Sequence, residues 1–133
     1  MLKLVLDTNV LVSALLNPNG APAKVLDYCF NSSDLICYDS RILEEYENVL
    51  NRQKFGFNKK DISIVLKFLI ENGFSVLPNP IEDEFVDEGD KKFYEVAKAC
   101  GAILITGNIK HFPKEEFIVT PNEFLNLFLS NRN

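Results

Sequence analysis

Short, mainly apolar runs alternate with amphipathic segments along the whole chain. Apolar runs bounded by polar residues are typical of strands buried on both faces. They occur at residues 2–6, 35–38, 74–77, 102–105 and, in a shorter form, 117–119. Between them, apolar residues recur every three or four positions, which predicts helices over residues 9–16, 22–30, 41–51, 61–72 and 90–100.

Residues that favour helix ends define several of these boundaries. Pro22 suits a first helical position, and we expect Ser40 to open the third of these helices. The Asn72-Gly73 pair and Gly101 are stop signals. The segment Thr120-Pro121-Asn122-Glu123 predicts a capping box with proline at the first helical position. We expect the final helix to bury Phe124, Leu125 and Phe128.

The alternation of strands and helices predicts an α/β fold. Continuous apolar strands connected through helices favour a mainly parallel sheet covered by helices on both faces. The length of 133 residues fits one domain, residues 1–133, and leaves no room for two. Because ligands of such sheets bind beyond the carboxyl ends of the strands, a functional site is expected there.

Charge and cysteine content narrow the class of protein. The net charge of -5 argues against a general nucleic-acid binder that acts through bulk positive charge. Six carboxylates and no base lie between residues 81 and 90, and the remaining 13 acids and 14 bases nearly cancel. Three scattered cysteines exclude a disulfide framework and a thiolate zinc site. We expect inert or buried thiols in a reducing compartment.

The start of the chain superficially resembles a signal peptide. Lys3 precedes an apolar stretch, and small residues follow at Ala21-Pro22-Ala23. Asp7 and Asn9 interrupt that stretch, and no later run approaches the roughly 20 apolar residues that a bilayer requires. We therefore expect a soluble cytoplasmic protein with no membrane partner.

Polar side chains follow two of the predicted strands directly. Asp7 comes after the first strand, and Thr106 and Asn108 come after the fourth. If these strands are parallel neighbours, both groups project at the same edge of the sheet. Asp90 begins the helix that leads into the fourth strand, which returns it to that edge. The sequence therefore predicts a polar cluster there.

One acid of the third helix completes this cluster. At about 100° per residue, Glu45 and Glu47 lie about 100° from the centre of the apolar stripe, and Glu44 lies on the solvent face. Glu45 is one turn nearer to the carboxyl edge and is the better candidate. Taken singly, Asp7 and Asp90 could simply be helix caps, and Glu45 a solvated acid.

Clustered carboxylates predict a bound cation. They repel one another and raise their own pKa values unless a positive charge neutralises them. Oxygen ligands without His or Cys at ligand spacing favour Mg²⁺ or Mn²⁺. Such an ion lowers the pKa of a bound water and neutralises charge on a phosphodiester, which predicts phosphodiester hydrolysis. This reading needs no histidine, so we expect His111 to be structural or a surface contact.

Four ordered motifs resemble those of the PIN-domain nucleases. They are Leu6-Asp7-Thr8-Asn9-Val10, Ile42-Leu43-Glu44-Glu45-Tyr46, Asp87-Glu88-Gly89-Asp90-Lys91-Lys92-Phe93 and Ile105-Thr106-Gly107-Asn108. More narrowly, the chain looks like PIN proteins described as toxins of toxin-antitoxin pairs. The resemblance implies a three-layer α/β/α domain with a five-stranded parallel sheet. It also implies a Mg²⁺- or Mn²⁺-dependent ribonuclease, with a homodimer and a small antitoxin protein as prospective partners.

The resemblance implies a role for each acidic position. Asp7, Glu45 and Asp90 match three acidic positions of the family, and Asp87 matches one often seen before the third. Asp7 and Asp90 would hold the metal, with Glu45 and Asp87 completing the pocket directly or through water. Asn108 stands where the family commonly has aspartate. It keeps an oxygen ligand to orient a water but removes one charge, so a second metal should bind more weakly.

Other residues are expected to support this site. Thr8 and Asn9 match polar positions that orient carboxylates or contact phosphate, and Thr106 supports the same edge. The lysines that border the proposed cleft are expected to hold RNA phosphates by charge, although each taken singly could be an ordinary solvated lysine: Lys91, Lys92, Lys110 and Lys114. The alternative from another class is a catalytically weakened PIN-fold domain that binds RNA or a protein partner.

Overall fold

Five short strands form the central sheet. In a computed structural model that describes residues 1–129, they are β1 Lys3–Leu6, β2 Leu35–Tyr38, β3 Phe74–Ser75, β4 Ile103–Ile105 and β5 Ile118–Val119. Their spatial order is β3-β2-β1-β4-β5, and every neighbouring pair is parallel. The predicted parallel five-stranded sheet is confirmed.

Helices cover this sheet. Within the described residues they are α1 Thr8–Leu16, α2 Ala21–Asn31, α3 Ser40–Leu50, α4 Lys59–Asn72, α5 Lys91–Cys100 and α6 Pro121–Phe124. Helix α5 lies against β1, β2 and β4. Helices α1 and α2 pack together, α2 also contacts α6, and α3 contacts α1, α4 and α5. The architecture is the expected three-layer α/β/α fold.

The two strands at the centre of the sheet are fully buried. Leu4, Val5 and Leu6 of β1, and Leu104 and Ile105 of β4, expose none of their surface. Full burial of a side chain of this size stabilises the fold by about 1.5–3 kcal/mol. The predicted helical stripes supply much of the remaining core, including Val25, Leu26, Cys29, Ile42, Tyr46, Leu50, Ile62, Val65, Leu69, Phe93, Val96 and Ala97.

Most boundaries differ from the prediction by one or two residues, and two of these differences have a clear physical cause. Strand β3 ends at Ser75 instead of residue 77 because it is the edge strand, and Leu77 is 97% exposed. Helix α3 is capped by Asp39, whose carboxylate accepts the N–H of Ile42 at 3.0 Å. Ser40, predicted to open this helix, is its first helical residue, and the N-cap is the residue before it.

The predicted capping box starts the last helix. The Thr120 hydroxyl accepts the N–H of Glu123 at 3.1 Å, and the Glu123 carboxylate accepts the N–H of Thr120 at 2.9 Å. Helix α6 is followed by a π-helical turn, Leu125–Leu129. Phe124 is fully buried as expected, whereas Leu125 and Phe128 are only partly buried.

The cysteines are free thiols. Burial is the main cause that raises the pKa of Cys29 and of Cys37 to about 12, so neither is a thiolate at neutral pH. Cys100 is partly buried. Within residues 1–129, no helix is both long enough and apolar enough to cross a bilayer.

Candidate active site

The ends of β1 and β4 lie side by side and bring Asp7 next to Thr106. Leu6 pairs with Ile105 in the sheet, and the N–H of Asp7 donates to the carbonyl of Ile105 at 2.9 Å. The Thr106 hydroxyl donates to Oδ2 of Asp7 at 2.8 Å, and both residues are buried. The Asp7 side chain makes no capping hydrogen bond to α1. Its carboxylate is therefore held across the two strand ends.

Asp7 is buried beside other acids. Its pKa is raised from 3.8 to about 6, mainly by burial. The Thr106 hydrogen bond acts in the opposite direction, and the negative charges of Asp90 and Glu45 add to the increase. Asp7, Glu45 and Asp90 thus form one electrostatic cluster, which we call the acidic cluster.

The loop after β4 is fixed to the acidic cluster through its backbone. The N–H of Asn108 donates to the Thr106 hydroxyl at 2.9 Å, and the N–H of Gly107 donates to Oδ1 of Asn9 at 3.0 Å. Asn108 is exposed. Asn9 therefore joins α1 to this loop, and the Thr106 hydroxyl connects the Asn108 backbone to the Asp7 carboxylate.

Helix α3 contributes Glu45, which is 31% exposed at its side chain. Its Oε2 accepts a hydrogen bond from the Thr8 hydroxyl, and its Oε1 lies 2.7 Å from Nζ of Lys92. Glu44 and Glu47 are exposed. The structure thus brings Glu45, and neither neighbouring acid, to the cluster; the helical angle excludes Glu44, and the position one turn nearer the carboxyl edge favours Glu45 over Glu47.

Asp90 lies at the amino end of α5, in the 3₁₀ turn Glu88–Asp90. Its side chain makes no capping hydrogen bond; instead Oδ2 lies 3.2 Å from Nδ1 of His111. Burial raises the pKa of Asp90, the contact with His111 lowers it, and the charge of Asp87 raises it. Sequence reasoning kept His111 as a structural or surface residue and missed this contact.

The outer members of the predicted site lie around the cluster. Asp87 is exposed, and its Oδ1 accepts the N–H of Gly89 at 2.8 Å, so it caps its own turn. Lys91 lies 3.9 Å from a carboxylate oxygen of Glu88. Lys110 is exposed in the turn Ile109–His111.

Lys92 has a different environment from the one its sequence position suggests. Its side chain is only 13% exposed, pairs with Glu45 and donates to the carbonyl of Gly89. Lys92 is therefore the internal counter-charge of Glu45, and its ammonium group is not a solvated charge that is free to bind phosphate.

An ion-pair network beside the cluster was missed by the sequence analysis. Arg41 pairs with Asp39 at 2.6 Å and with Glu95 at 2.9 Å, and both acids are buried. The second oxygen of Glu95 accepts the N–H of Ile81 at 2.8 Å. The network joins the start of α3 to α5 and to the segment that precedes α5.

A groove of about 670 Å³ opens beside the cluster. One wall is a face of α3 and the residues just beyond it, including Glu45, Asn48 and Arg52. Lys91 and Lys92 of α5 line it as well. The charges of its lining are mixed: four bases (Arg41, Arg52, Lys91 and Lys92) lie among four acids (Glu44, Glu45, Glu88 and Glu95).

Comparison with known proteins agrees with this geometry. A family model described as PIN domain matches residues 3–110, which include all four motifs. The chain belongs to the PIN-domain family. This PIN domain is also similar to an uncharacterized protein of Methanocaldococcus jannaschii, 37% identical over 113 residues that cover 80% of this chain and 71% of the relative. Membership gives the chain a nuclease-type fold, in a family that generally uses divalent metals.

The donor set of this PIN domain fits a hard divalent cation. The carboxylates of Asp7, Glu45 and Asp90 and the amide oxygen of Asn108 are hard oxygen donors. Burial of Asp7 beside other acids is unfavourable without a cation. Within residues 1–129, no three Asp, Glu, His or Cys side chains are close enough to form a complete metal cage. One or two carboxylates completed by waters and substrate phosphate are, however, the usual Mg²⁺ ligands.

Proposed function

We propose that residues 1–133 form a single PIN-like domain that acts as a Mg²⁺- or Mn²⁺-dependent endoribonuclease. The observation that carries the proposal is the pair Asp7 and Asp90. Neither carboxylate forms an ion pair with a lysine or arginine of the described residues, and burial raises the pKa of each, although His111 and the charge of Lys92 oppose the increase at Asp90. A divalent cation held by these carboxylates would offset that unfavourable arrangement.

In this proposal Asp7 and Asp90 hold the metal, and Glu45 and Asp87 complete the pocket directly or through water. The bound metal lowers the pKa of a water and neutralises charge on the phosphodiester. The residues that already contact the acids keep them oriented: Thr106 holds Asp7, Thr8 holds Glu45, and His111 holds Asp90. Asn108 orients a water at the mouth of the site.

Cleavage of a mixed single-stranded RNA pool tests the proposal. The wild type is incubated with Mn²⁺, with Mg²⁺ and with EDTA, beside Asp90→Asn and the control Glu47→Gln. Glu47 is exposed on the same helix as Glu45. The control Glu47→Gln therefore removes one negative charge, as Asp90→Asn does, but removes it outside the acidic cluster. We expect metal-dependent cutting that falls by about 100-fold or more in Asp90→Asn and is unchanged in the control. A folded wild type that cuts with neither metal would show the catalytic proposal to be wrong.

Two observations favour the second candidate, a weakened PIN domain that binds RNA or a protein partner. Asn108 lacks the charge that the family commonly has there, and Lys92 already neutralises Glu45. For such a domain, RNA binding persists without cleavage, and Asn108→Asp restores metal-dependent cutting. A wild type that cuts as efficiently as Asn108→Asp would contradict this candidate.

The resemblance to toxin PIN proteins supports a further part of the proposal. In this part the chain is the toxin of a toxin-antitoxin pair, silenced by a small protein and able to form a homodimer. Induced expression in a bacterial host should arrest growth, and Asp90→Asn should relieve the arrest. Equal growth with the wild type and the variant would contradict the toxin role. Size-exclusion chromatography of the purified chain tests the homodimer.

A further inference from the structure

The connection between α3 and α4 carries a concentration of positive charge. Residues 51–60, which we call the basic loop, contain four bases and no acid in a chain of net charge -5. The four bases are Arg52, Lys54, Lys59 and Lys60, and all are exposed. Within the part of the chain that the structure describes, none of them forms an ion pair with a carboxylate. The charge is therefore available to an external partner.

Two aromatic rings lie within the same segment. Phe55 and Phe57 stack with centroids 5.3 Å apart and planes 11° apart, on either side of Gly56. Gly56 has a φ of 63°, a conformation that glycine adopts readily. Phe57 packs against the hydrophobic core, and Phe55 is partly exposed with Nζ of Lys54 5.1 Å from its centroid. An anchored ring among cations is typical of surfaces that bind single-stranded nucleic acid.

Stability does not explain the lysines of the basic loop. Lys59 and Lys60 lie in the first turn of α4, where the helix dipole disfavours positive charge. Asp61 is the acid of that turn that complements the dipole. Neither lysine has an ion-pair partner within residues 1–129, so their placement is unfavourable for the isolated fold.

The basic loop is continuous with the groove beside the acidic cluster. Arg52 lies two residues beyond Leu50, the last residue of α3, and shares the lining of the groove with Glu45. Arg52 lines the groove and also a neighbouring pocket of about 360 Å³, whose lining includes Phe57 and Lys59. A strand that lies in the groove therefore reaches the basic loop.

We propose that the basic loop is a second binding surface for single-stranded RNA, which extends the substrate contact of the groove away from the acidic cluster. Arg52 holds a phosphate inside the groove, and Phe55 stacks a base in place of the Lys54 ammonium. Lys54, Lys59 and Lys60 then contact the phosphates that follow. The inference rests on the proposed ribonuclease function, because it assigns a position to that enzyme's substrate.

Binding measured without cleavage tests the charges. Fluorescence anisotropy follows a labelled oligouridine RNA of about 12 nucleotides in EDTA, with the full chain. The variant Lys54→Gln/Lys59→Gln/Lys60→Gln is compared with Lys3→Gln/Lys24→Gln/Lys67→Gln, which removes three exposed lysines from other parts of the surface. We expect the first variant to raise the Kd about tenfold or more and to reduce the salt dependence of log K by about 2, while the second stays within about twofold of the wild type.

A second variant tests the aromatic ring. Phe55→Leu should raise the Kd about tenfold with an unchanged salt dependence, because stacking is lost and no charge is removed. Thermal unfolding of each variant verifies that it is folded. If both triple variants bind RNA equally, or if Phe55→Leu binds like the wild type, the inference is overturned. If the basic loop fails these tests but the wild type still cuts RNA, the ribonuclease proposal stands. A wild type that neither binds nor cuts RNA overturns the ribonuclease proposal and the basic-loop inference together.

Discussion

Replacement of Asp7 by asparagine should stabilise the metal-free protein. The Asp7 carboxylate is 5% exposed, and in the absence of a cation it must ionise beside Asp90 and Glu45. Asparagine has nearly the same shape and keeps an oxygen that can accept the Thr106 hydrogen bond. The variant therefore removes an unfavourable charge and keeps the acceptor of the Thr106 hydrogen bond, while the favourable interaction of the carboxylate with the Asn9 backbone is weakened.

The size of the effect follows from the raised pKa. The folded state holds the Asp7 proton up to a pKa of about 6, whereas the unfolded chain releases it near 3.8. Between these pH values the folded state binds more protons, so its stability falls as the pH rises and then stays level. The total loss is about 3 kcal/mol above pH 6 and about half of that near pH 5.

Urea unfolding followed by circular dichroism in EDTA measures this difference. At about pH 8 we expect Asp7→Asn to be more stable than the wild type by about 3 kcal/mol, or by about 10 °C in Tm. At about pH 5 the difference should shrink to about half, because the wild type is then largely protonated at Asp7. The control Glu47→Gln changes an exposed acid and should stay within about 0.5 kcal/mol of the wild type at both pH values.

Two results would refute this reasoning. If Asp7→Asn is less stable than the wild type at pH 8, the ionised carboxylate stabilises the fold. The cost of burying its charge is then smaller than the gain from its favourable interactions. If the difference is the same at both pH values, the effect does not arise from titration of Asp7.

Three further predictions concern the same region. Mn²⁺ at 100 times its Kd should stabilise the wild type by about 2.7 kcal/mol through mass action and so raise its Tm, and Asp7→Asn should abolish this shift; an unchanged wild-type melting curve would contradict the metal site. Glu95→Ala should lower stability in urea unfolding by about 2–3 kcal/mol, because it leaves Asp39 to balance Arg41 alone and removes the acceptor of the Ile81 N–H, and Glu95→Gln should cost less. Tyr46→Phe should cost about 1–2 kcal/mol in the same assay, because the buried Tyr46 hydroxyl donates to the carbonyl of Leu6; a neutral effect would show that this carbonyl finds another donor.

Much of the fold could be predicted because each element carries its own periodicity. The apolar strands and helical stripes gave the element types in order, and local chemistry gave the capping box at Thr120. The edge of the sheet was less predictable: residues 74–77 have the apolar pattern of a buried strand, but β3 has only two residues and both are exposed, because a strand at the edge has one neighbour. The cap of α3 at Asp39 was missed because Ser40 is an equally plausible capping residue by type.

The candidate site was predictable where it depends on strand ends and helical angle. Asp7 and Thr106 meet because they follow parallel neighbouring strands, and Glu45 faces them because of its angle on α3 and its position one turn nearer the carboxyl edge than Glu47. The alternation of elements does not by itself fix which strands are neighbours, and the observed order places β1 beside β4.

The sequence by itself determined the periodicities, the acidic residues and their positions at the ends of elements. Only the tertiary structure decided which charges pair. Lys92 reaches Glu45, His111 reaches Asp90, and Glu95 is buried although its angle on α5 lies opposite the apolar stripe. The physical reason is that periodicity reports burial within one element, whereas these contacts depend on how a loop or a second helix covers that element.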